Sequence, residues 1–269
     1  MRPLLWAGLL QSGITMTPSP VTGLAVPTHI VALSGGKDST AMALRLAEVE
    51  PREYSYVVTP TGDELPDMLE HWKHLGELLG KPLTVVTSGH SLQGLIRDQN
   101  ALPNFRMRWC TRILKIEPFN AYLYEHRPAI SYVGLRADEP TSKRGGIFGN
   151  VEGIQQRYPL REWGWGLLDV WRYLELCGVT IPPRTDCARC FFQRLEEWYS
   201  LWYWHRDKYL EAEAEETMTG HTFRSPGRDT WPVSLAGLRQ EFEKGNLPRN
   251  AGRLRLMDAR PNMCRVCSL

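Results

Sequence analysis

The sequence predicts an α/β protein: a Rossmann-like parallel sheet with helices on both faces, followed by a mostly helical, cysteine-containing C-terminal part. Three observations predict it. Apolar strand-like runs alternate with amphipathic helix-like runs through the first half of the chain, and such alternation implies parallel strands joined by right-handed crossovers. A glycine turn joins the first strand to the first helix. Beyond about residue 155 the alternation stops, and aromatic residues and a C-x-x-C pair take over.

The elements follow in order. "HIVALS" is a strand, and "STAMALRLAEVE" is a helix that stops before Pro51. "EYSYVV" is a second strand ending in the turn "TPTGDELP", and "DMLEHWKHLGELLG" is a helix closed by Gly80. "PLTVVTS" is a third strand and "AISYVGL" a fourth. Between them "CTRILKIEPFNAYLYEH" reads as a helix that Pro118 should kink or split. In the second half "GWGLLDVWRYLELCG" is a helix, "VTIPPRTDCARC" a proline-broken loop, and "FFQRLEEWYSLWYWHRDKYLEAEAEE" one long aromatic helix. A shorter helix falls near "SLAGLRQEFEKG". The expected organisation is a loose extension over residues 1–27, a nucleotide-binding α/β domain over 28–155, and a helical, cysteine-rich region over 156–269 packed on it.

Composition excludes some classes. The chain has 269 residues and a formal charge of +2, too small by itself to imply a nucleic-acid partner. No apolar run has the length of a membrane span. The opening "MRPLLWAGLL" is broken by Gln11 and Ser12 and lacks a clean cleavage site, so the cytoplasm is the expected compartment. There disulfides are not expected, and two C-x-x-C pairs, Cys187/Cys190 and Cys264/Cys267, read as metal or redox chemistry. Four thiolates suffice for Zn2+. Cys177 is expected to be a buried small hydrophobe.

The turn "SGGKDS" is built for phosphate. Gly35 and Gly36 allow positive φ and close approach, and their N–H groups with the helix start form an anion site. Ser34 and Ser39 add hydroxyls, Lys37 a positive charge, and Asp38 a carboxylate able to orient Mg2+. The Walker spacing is absent. Asp63 and Glu64, at a strand end nearby, are candidates for magnesium or nucleotide binding, with solvated turn carboxylates as the competing reading. Arg136 is the candidate for gripping phosphate or sulfate; Lys115 divides evenly between facing the nucleotide and facing solvent. Lys143 and Arg144 read as a basic loop, and His71 with His74 as a surface pair.

These residues carry a resemblance. "SGGKDS" resembles the signature of the PP-loop ATP pyrophosphatases, or adenine nucleotide α-hydrolases. "TGDELP", "RWCTRILKIEP", "GLRADEP" and "YPLREWGWGLLDVWRYL" resemble, in order, further elements of one branch, the phosphoadenosine phosphosulfate (PAPS) reductase-like family. "DCARC" sits where that family often carries its C-x-x-C. The resemblance runs from about His29 to about Tyr199. The second element lacks the aspartate that usually opens it, and Cys110 is followed by Thr111 where adenylylsulfate reductases have a second cysteine.

The resemblance implies an adenine nucleotide, ATP with Mg2+, held by Ser34, Gly35, Gly36, Lys37, Asp38, Ser39, Asp63, Glu64 and Arg136. It implies Lys37, Asp38 and Cys110 as catalytic residues, and it brings Cys110 to Cys187 and Cys190 as ligands of a [4Fe–4S] cluster, against zinc on Cys187, Cys190, Cys264 and Cys267. An intact phosphate turn favours adenylation of a substrate with pyrophosphate release and sulfur transfer, as in DNA phosphorothioation and tRNA thiolation enzymes. The partners implied are a nucleic-acid substrate and a sulfur-donor or reductant protein, with room for a homodimer and none for a membrane. The alternatives are a thiol-dependent reductase of a sulfonucleotide, with Cys264 or Cys267 as nucleophile, and a nucleotide-binding module with structural zinc and no turnover.

Overall fold

The computed structural model describes residues 26–140, 151–249 and 251. The expectations for the N-terminal extension, for Lys143 and Arg144, and for Cys264 and Cys267 lie outside these residues. Five strands form one parallel sheet in the order β3-β2-β1-β4-β5: β1 Thr28–Ala32, β2 Tyr54–Val58, β3 Thr84–Val85, β4 Ala129–Tyr132 and β5 Ile154–Arg157. The order reverses between β1 and β4. In an open α/β sheet, that reversal opens a crevice at the carboxyl ends of the strands. The glycine turn sits on it.

Alternation along β1 sends Val31 to one core and Ile30 to another. Val31 meets α1 (Lys37–Val49) and α7 (Leu167–Leu176), through Met42, Leu46, Val170 and Leu174. Ile30 meets α5 (Glu117–Glu125), through Phe119 and Leu123. A strand buried on both faces is what a crossover-covered parallel sheet requires. A third core gathers α3 (Leu92–Gln99), α8 (Leu195–Trp204), α9 (Arg206–Thr219) and α10 (Leu235–Glu243) around the C-x-x-C loop, with Trp198 at its centre. Among the described residues, no helix is long and apolar enough to cross a membrane.

Several expectations are corrected. β5 spans residues on both sides of 155/156, and α7 packs on the sheet. The third core also draws Leu92, Ile96 and Leu114 from the first half. The long aromatic helix is two, α8 and α9, broken at His205, whose φ of −135° and ψ of 61° are not helical. Pro118 neither ends nor splits its helix. α4 (Trp109–Thr111), a π-helical segment (Arg112–Ile116) and α5 run on without a gap, and the π turn ends just before the proline that cannot donate an N–H. Cys177 is exposed rather than buried.

Candidate functional site

The phosphate turn is held from behind by α2 (Pro66–Leu78). The Trp72 indole N–H donates to the Ser34 carbonyl at 3.1 Å, and His71 Nε2 lies 3.0 Å from the Gly35 carbonyl. Gly35 has φ of +80°, and a Cβ there would stand 2.1 Å from Met68 Cε and 2.5 Å from Trp72 Nε1. Gly35→Ala is therefore expected to cost about 1–3 kcal/mol from overpacking, with a similar cost from the strained φ; urea unfolding measures the sum. The turn is closed by its own serines, Ser34 Oγ lying 2.9 Å from Ser39 Oγ, and Ser39 Oγ donating to the Gly36 carbonyl at 3.1 Å. On the sheet side Gly134 abuts the start of α1, where a Cβ would lie 3.0 Å from the Ser39 nitrogen.

The surface pair expected of His71 and His74 is corrected. His71 is buried, and burial holds its imidazole down at about 4. A folded-state value below the unfolded 6.5 means that the unfolded chain takes up the proton first. Stability from this group is complete above pH 6.5 and is lost as pH falls towards 4, by up to about 3 kcal/mol. His71→Gln, which keeps a donor for the Gly35 carbonyl, is expected to flatten that acid limb in pH-dependent denaturation.

Ser34, Gly36, Asp38 and Ser39 line a cavity of about 200 Å3 at the carboxyl end of β1. Its other walls are apolar, from Leu33, Val57, Ile116, Phe119 and Val133, with Lys115 at one side. A polar, donor-rich end and apolar walls suit a nucleotide's phosphates and base. Gly35 and Lys37 do not line it: Gly35 faces α2, and Lys37 is 2% exposed, with Nζ donating to Asp38 Oδ2 at 2.9 Å. Arg136 also donates to Asp38 Oδ2, at 3.0 Å, and its Nε donates to Asp138 at 2.8 Å. The guanidinium expected to grip phosphate or sulfate is thus engaged by carboxylates. Asp38 Oδ1 is buried without a hydrogen-bond partner among the described residues. A buried carboxylate oxygen left open beside the phosphate turn fits a divalent cation.

The "TGDE" carboxylates are both engaged by protein groups. Asp63 is 1% exposed and belongs to Arg189, inside the C-x-x-C: Arg189 Nε donates to Oδ1 at 2.8 Å, and the Arg189 backbone N–H donates to Oδ2 at 2.9 Å. Arg189 Nη1 also donates to Glu215 of α9 at 2.7 Å. Glu64 folds back on its own turn, accepting from the Thr61 hydroxyl at 2.7 Å and the Gly62 N–H at 3.0 Å. The sequence does not single out Arg189; its one signal is an arginine between the two cysteines, followed by two phenylalanines.

Cys110, Cys187 and Cys190 line one small cavity of about 20 Å3, with Thr61, Thr111 and Lys115. Burial pushes all three thiols up, Cys187 to about 12, while Lys115 pulls Cys110 and Cys187 back down. Three thiols are the right donors for a metal or cluster. The space is not: no three potential ligands among the described residues are placed to hold an ion, and a cluster needs more room. Lys115 lines both this cavity and the nucleotide-sized one.

This parallel sheet, with Ser-Gly-Gly-Lys-Asp-Ser at the carboxyl end of its first strand, defines a PP-loop protein. Residues 28–186, more than half the chain, match the sequence model of the phosphoadenosine phosphosulfate reductase domain, and the chain belongs to that family. An uncharacterized protein of Methanocaldococcus jannaschii is 28% identical over 151 residues, 54% of this chain and 31% of that protein. The chain thus spans about a third of that relative's length. Among solved structures, PAPS reductase from Candida auris in a phosphate complex aligns with a TM-score of 0.47 and 14% identity, over 58% of this chain and 76% of that one. The U34-tRNA thiolase NcsA from Methanococcus maripaludis, with its [4Fe–4S] cluster, aligns with a TM-score of 0.47 and 16% identity, over 77% of each chain. NMN synthetase from Francisella tularensis aligns at 0.40 and 15%, over 89% of this chain and 91% of that one.

Proposed function

We propose that the protein binds ATP in the cavity fronted by Ser34, Gly36, Asp38 and Ser39, transfers its adenylyl group to an acceptor with release of pyrophosphate, and serves a sulfur-transfer reaction with its cysteines. The observation that carries this reading is Lys115, which stands in the walls of both the nucleotide-sized cavity and the thiol cavity. One residue common to both walls supports their belonging to one reaction. The intact phosphate turn supports ATP itself over a preformed sulfonucleotide.

In this reading the N–H groups and hydroxyls of the turn hold the phosphates, and Asp38 Oδ1 takes the magnesium. Lys37 and Arg136 act through Asp38, fixing its other oxygen. Lys115 faces the charge that develops between nucleotide and acceptor. A nucleic-acid acceptor and a sulfur-donor or reductant protein remain the proposed partners. A cluster or zinc at Cys187 and Cys190 would supply a thiolate-ligated centre; it needs this cavity to widen and a further ligand, so no step is assigned to it.

Product analysis decides between the readings. With ATP, Mg2+ and an acceptor, pyrophosphate should accumulate only when the acceptor is present. Sulfite from adenylylsulfate or its 3′-phosphate, without pyrophosphate, would replace the proposal with sulfonucleotide reduction, the activity that the family's name supports. ATP binding with no product would leave a binding module. Iron, zinc and acid-labile sulfide should be measured on anaerobically purified protein. Iron with sulfide, reduced by a Cys110→Ser change, would show that the three thiols close on a cluster; one zinc indifferent to Cys110 would make the C-x-x-C a structural staple.

A further inference from the structure

A second cavity, of about 700 Å3, lies at the open edge of the sheet between α2 and β3. It shares no lining residue with the nucleotide-sized cavity. Trp72, Pro82, Leu83 and Val85 form its apolar walls, and Val85 is 61% exposed although it sits on a strand. The volume is that of a small-molecule site. An added strand fits poorly, because β3 is only two residues long and offers little backbone to pair with.

Lys73, Lys81 and the carboxylate Glu77 line the cavity. Lys81 pairs with Glu53, and Glu77 lies 3.6 Å from His74 Nδ1, whereas Lys73 makes no ion pair among the described residues. Lys81 is positioned by the Tyr54 carbonyl at 2.6 Å and by Glu53 at 3.2 Å. Apolar walls with one lysine, Lys73, outside any carboxylate pair suit an aromatic ring that carries a carboxylate, sulfonate or phosphate.

Trp72 gives the cavity a second meaning. Its ring is a wall here, and its N–H holds the Ser34 carbonyl in the phosphate turn at 3.1 Å. The same indole nitrogen fills the space that a Cβ on Gly35 would need. A ligand pressed against the ring therefore acts on the backbone of the turn through one rigid side chain.

We propose that this cavity is a second ligand site, for a flat aromatic anion, and that its occupancy is transmitted to the phosphate turn through Trp72. The binding half is independent of the function proposed above; the coupling half rests on ATP binding at the turn.

The probe is 8-anilinonaphthalene-1-sulfonate, an aromatic sulfonate whose fluorescence rises in apolar surroundings, added to the full chain. One probe should bind per chain. Leu83→Asp should weaken it about tenfold by placing a charge in the wall, and Lys73→Glu, a surface change that leaves the fold alone, about threefold. Saturating probe should shift ATP affinity by a finite factor, ATP should shift probe affinity by the same factor, and Leu83→Asp should abolish both shifts. Non-saturable binding, binding indifferent to both substitutions, or complete displacement of the probe by ATP would overturn the site. Probe binding with unchanged ATP affinity would overturn the coupling. A protein that binds the probe at this cavity but never binds ATP would sink the proposed function and leave the site standing.

Discussion

Asp38→Asn is expected to lower pyrophosphate release by about a hundredfold to a thousandfold, the usual loss when one charge-stabilising group is removed from a reacting centre. The substitution keeps the shape and removes the charge. Its amide cannot supply the buried oxygen Oδ1 as an anionic magnesium ligand, and its N–H2 or carbonyl must face Lys37 and Arg136, which both now donate to Oδ2. ATP affinity, measured by calorimetry without magnesium, should change much less, because the phosphates are held mainly by N–H groups and serine hydroxyls. Asp38→Asn protein that turns over at the normal rate would remove Asp38 from the reaction. Because Lys37 is 2% exposed and loses its counter-charge, the variant's folding should be checked by its urea midpoint.

The second large effect is on stability. Removing either member of the Asp63–Arg189 pair is expected to cost about 3–5 kcal/mol, since each change leaves the partner's charge buried. Both side chains are almost fully out of solvent, at 0% and 1% exposure. Asp63→Ala also orphans the Arg189 backbone N–H and leaves the guanidinium to Glu215 and Glu211 alone. The double change Asp63→Leu, Arg189→Met should recover much of the loss, because a well-packed apolar pair often replaces a buried ion pair at little cost. Single variants within about 1 kcal/mol of the parent, by urea unfolding, would mean that the pair is worth no more than an exposed one.

The phosphate turn was legible because its residues are contiguous: strand, two glycines, capping hydroxyl and helix follow one another. The C-x-x-C was legible for the same reason. What pairs across the chain was not. Asp63 and Arg189 are 126 positions apart, and the turn context of Asp63 suggested a ligand rather than a latch. His71 could have been read better, since Met68, His71 and Leu75 share one buried stripe of α2 at spacings of three and four. β5 is hidden because Ile154, Gln155, Gln156 and Arg157 show no apolar alternation; it is an edge strand in which no residue is fully buried. α3 falls in a stretch given no element from the sequence, although Ser91 caps it through the Gly94 N–H. Lys115 was weighed evenly between nucleotide and solvent, because a winding that departs from 3.6 residues per turn cannot be seen in a helical wheel.

That winding makes chain length a determinant of the site. Between Cys110 and Pro118 the π-helical segment Arg112–Ile116 carries a residue more than an α-helix would use to climb the same distance. Deleting one residue there would let this turn rewind as ordinary α-helix and leave Trp109 and Cys110 at nearly the same height and angle relative to Phe119 and Leu123. What would change is the widened turn itself, which carries Lys115. A homologue one residue shorter in this interval would keep the nucleotide turn and all three thiols and still lose the position from which Lys115 lines both cavities, a loss that comparing residue identities alone would not register.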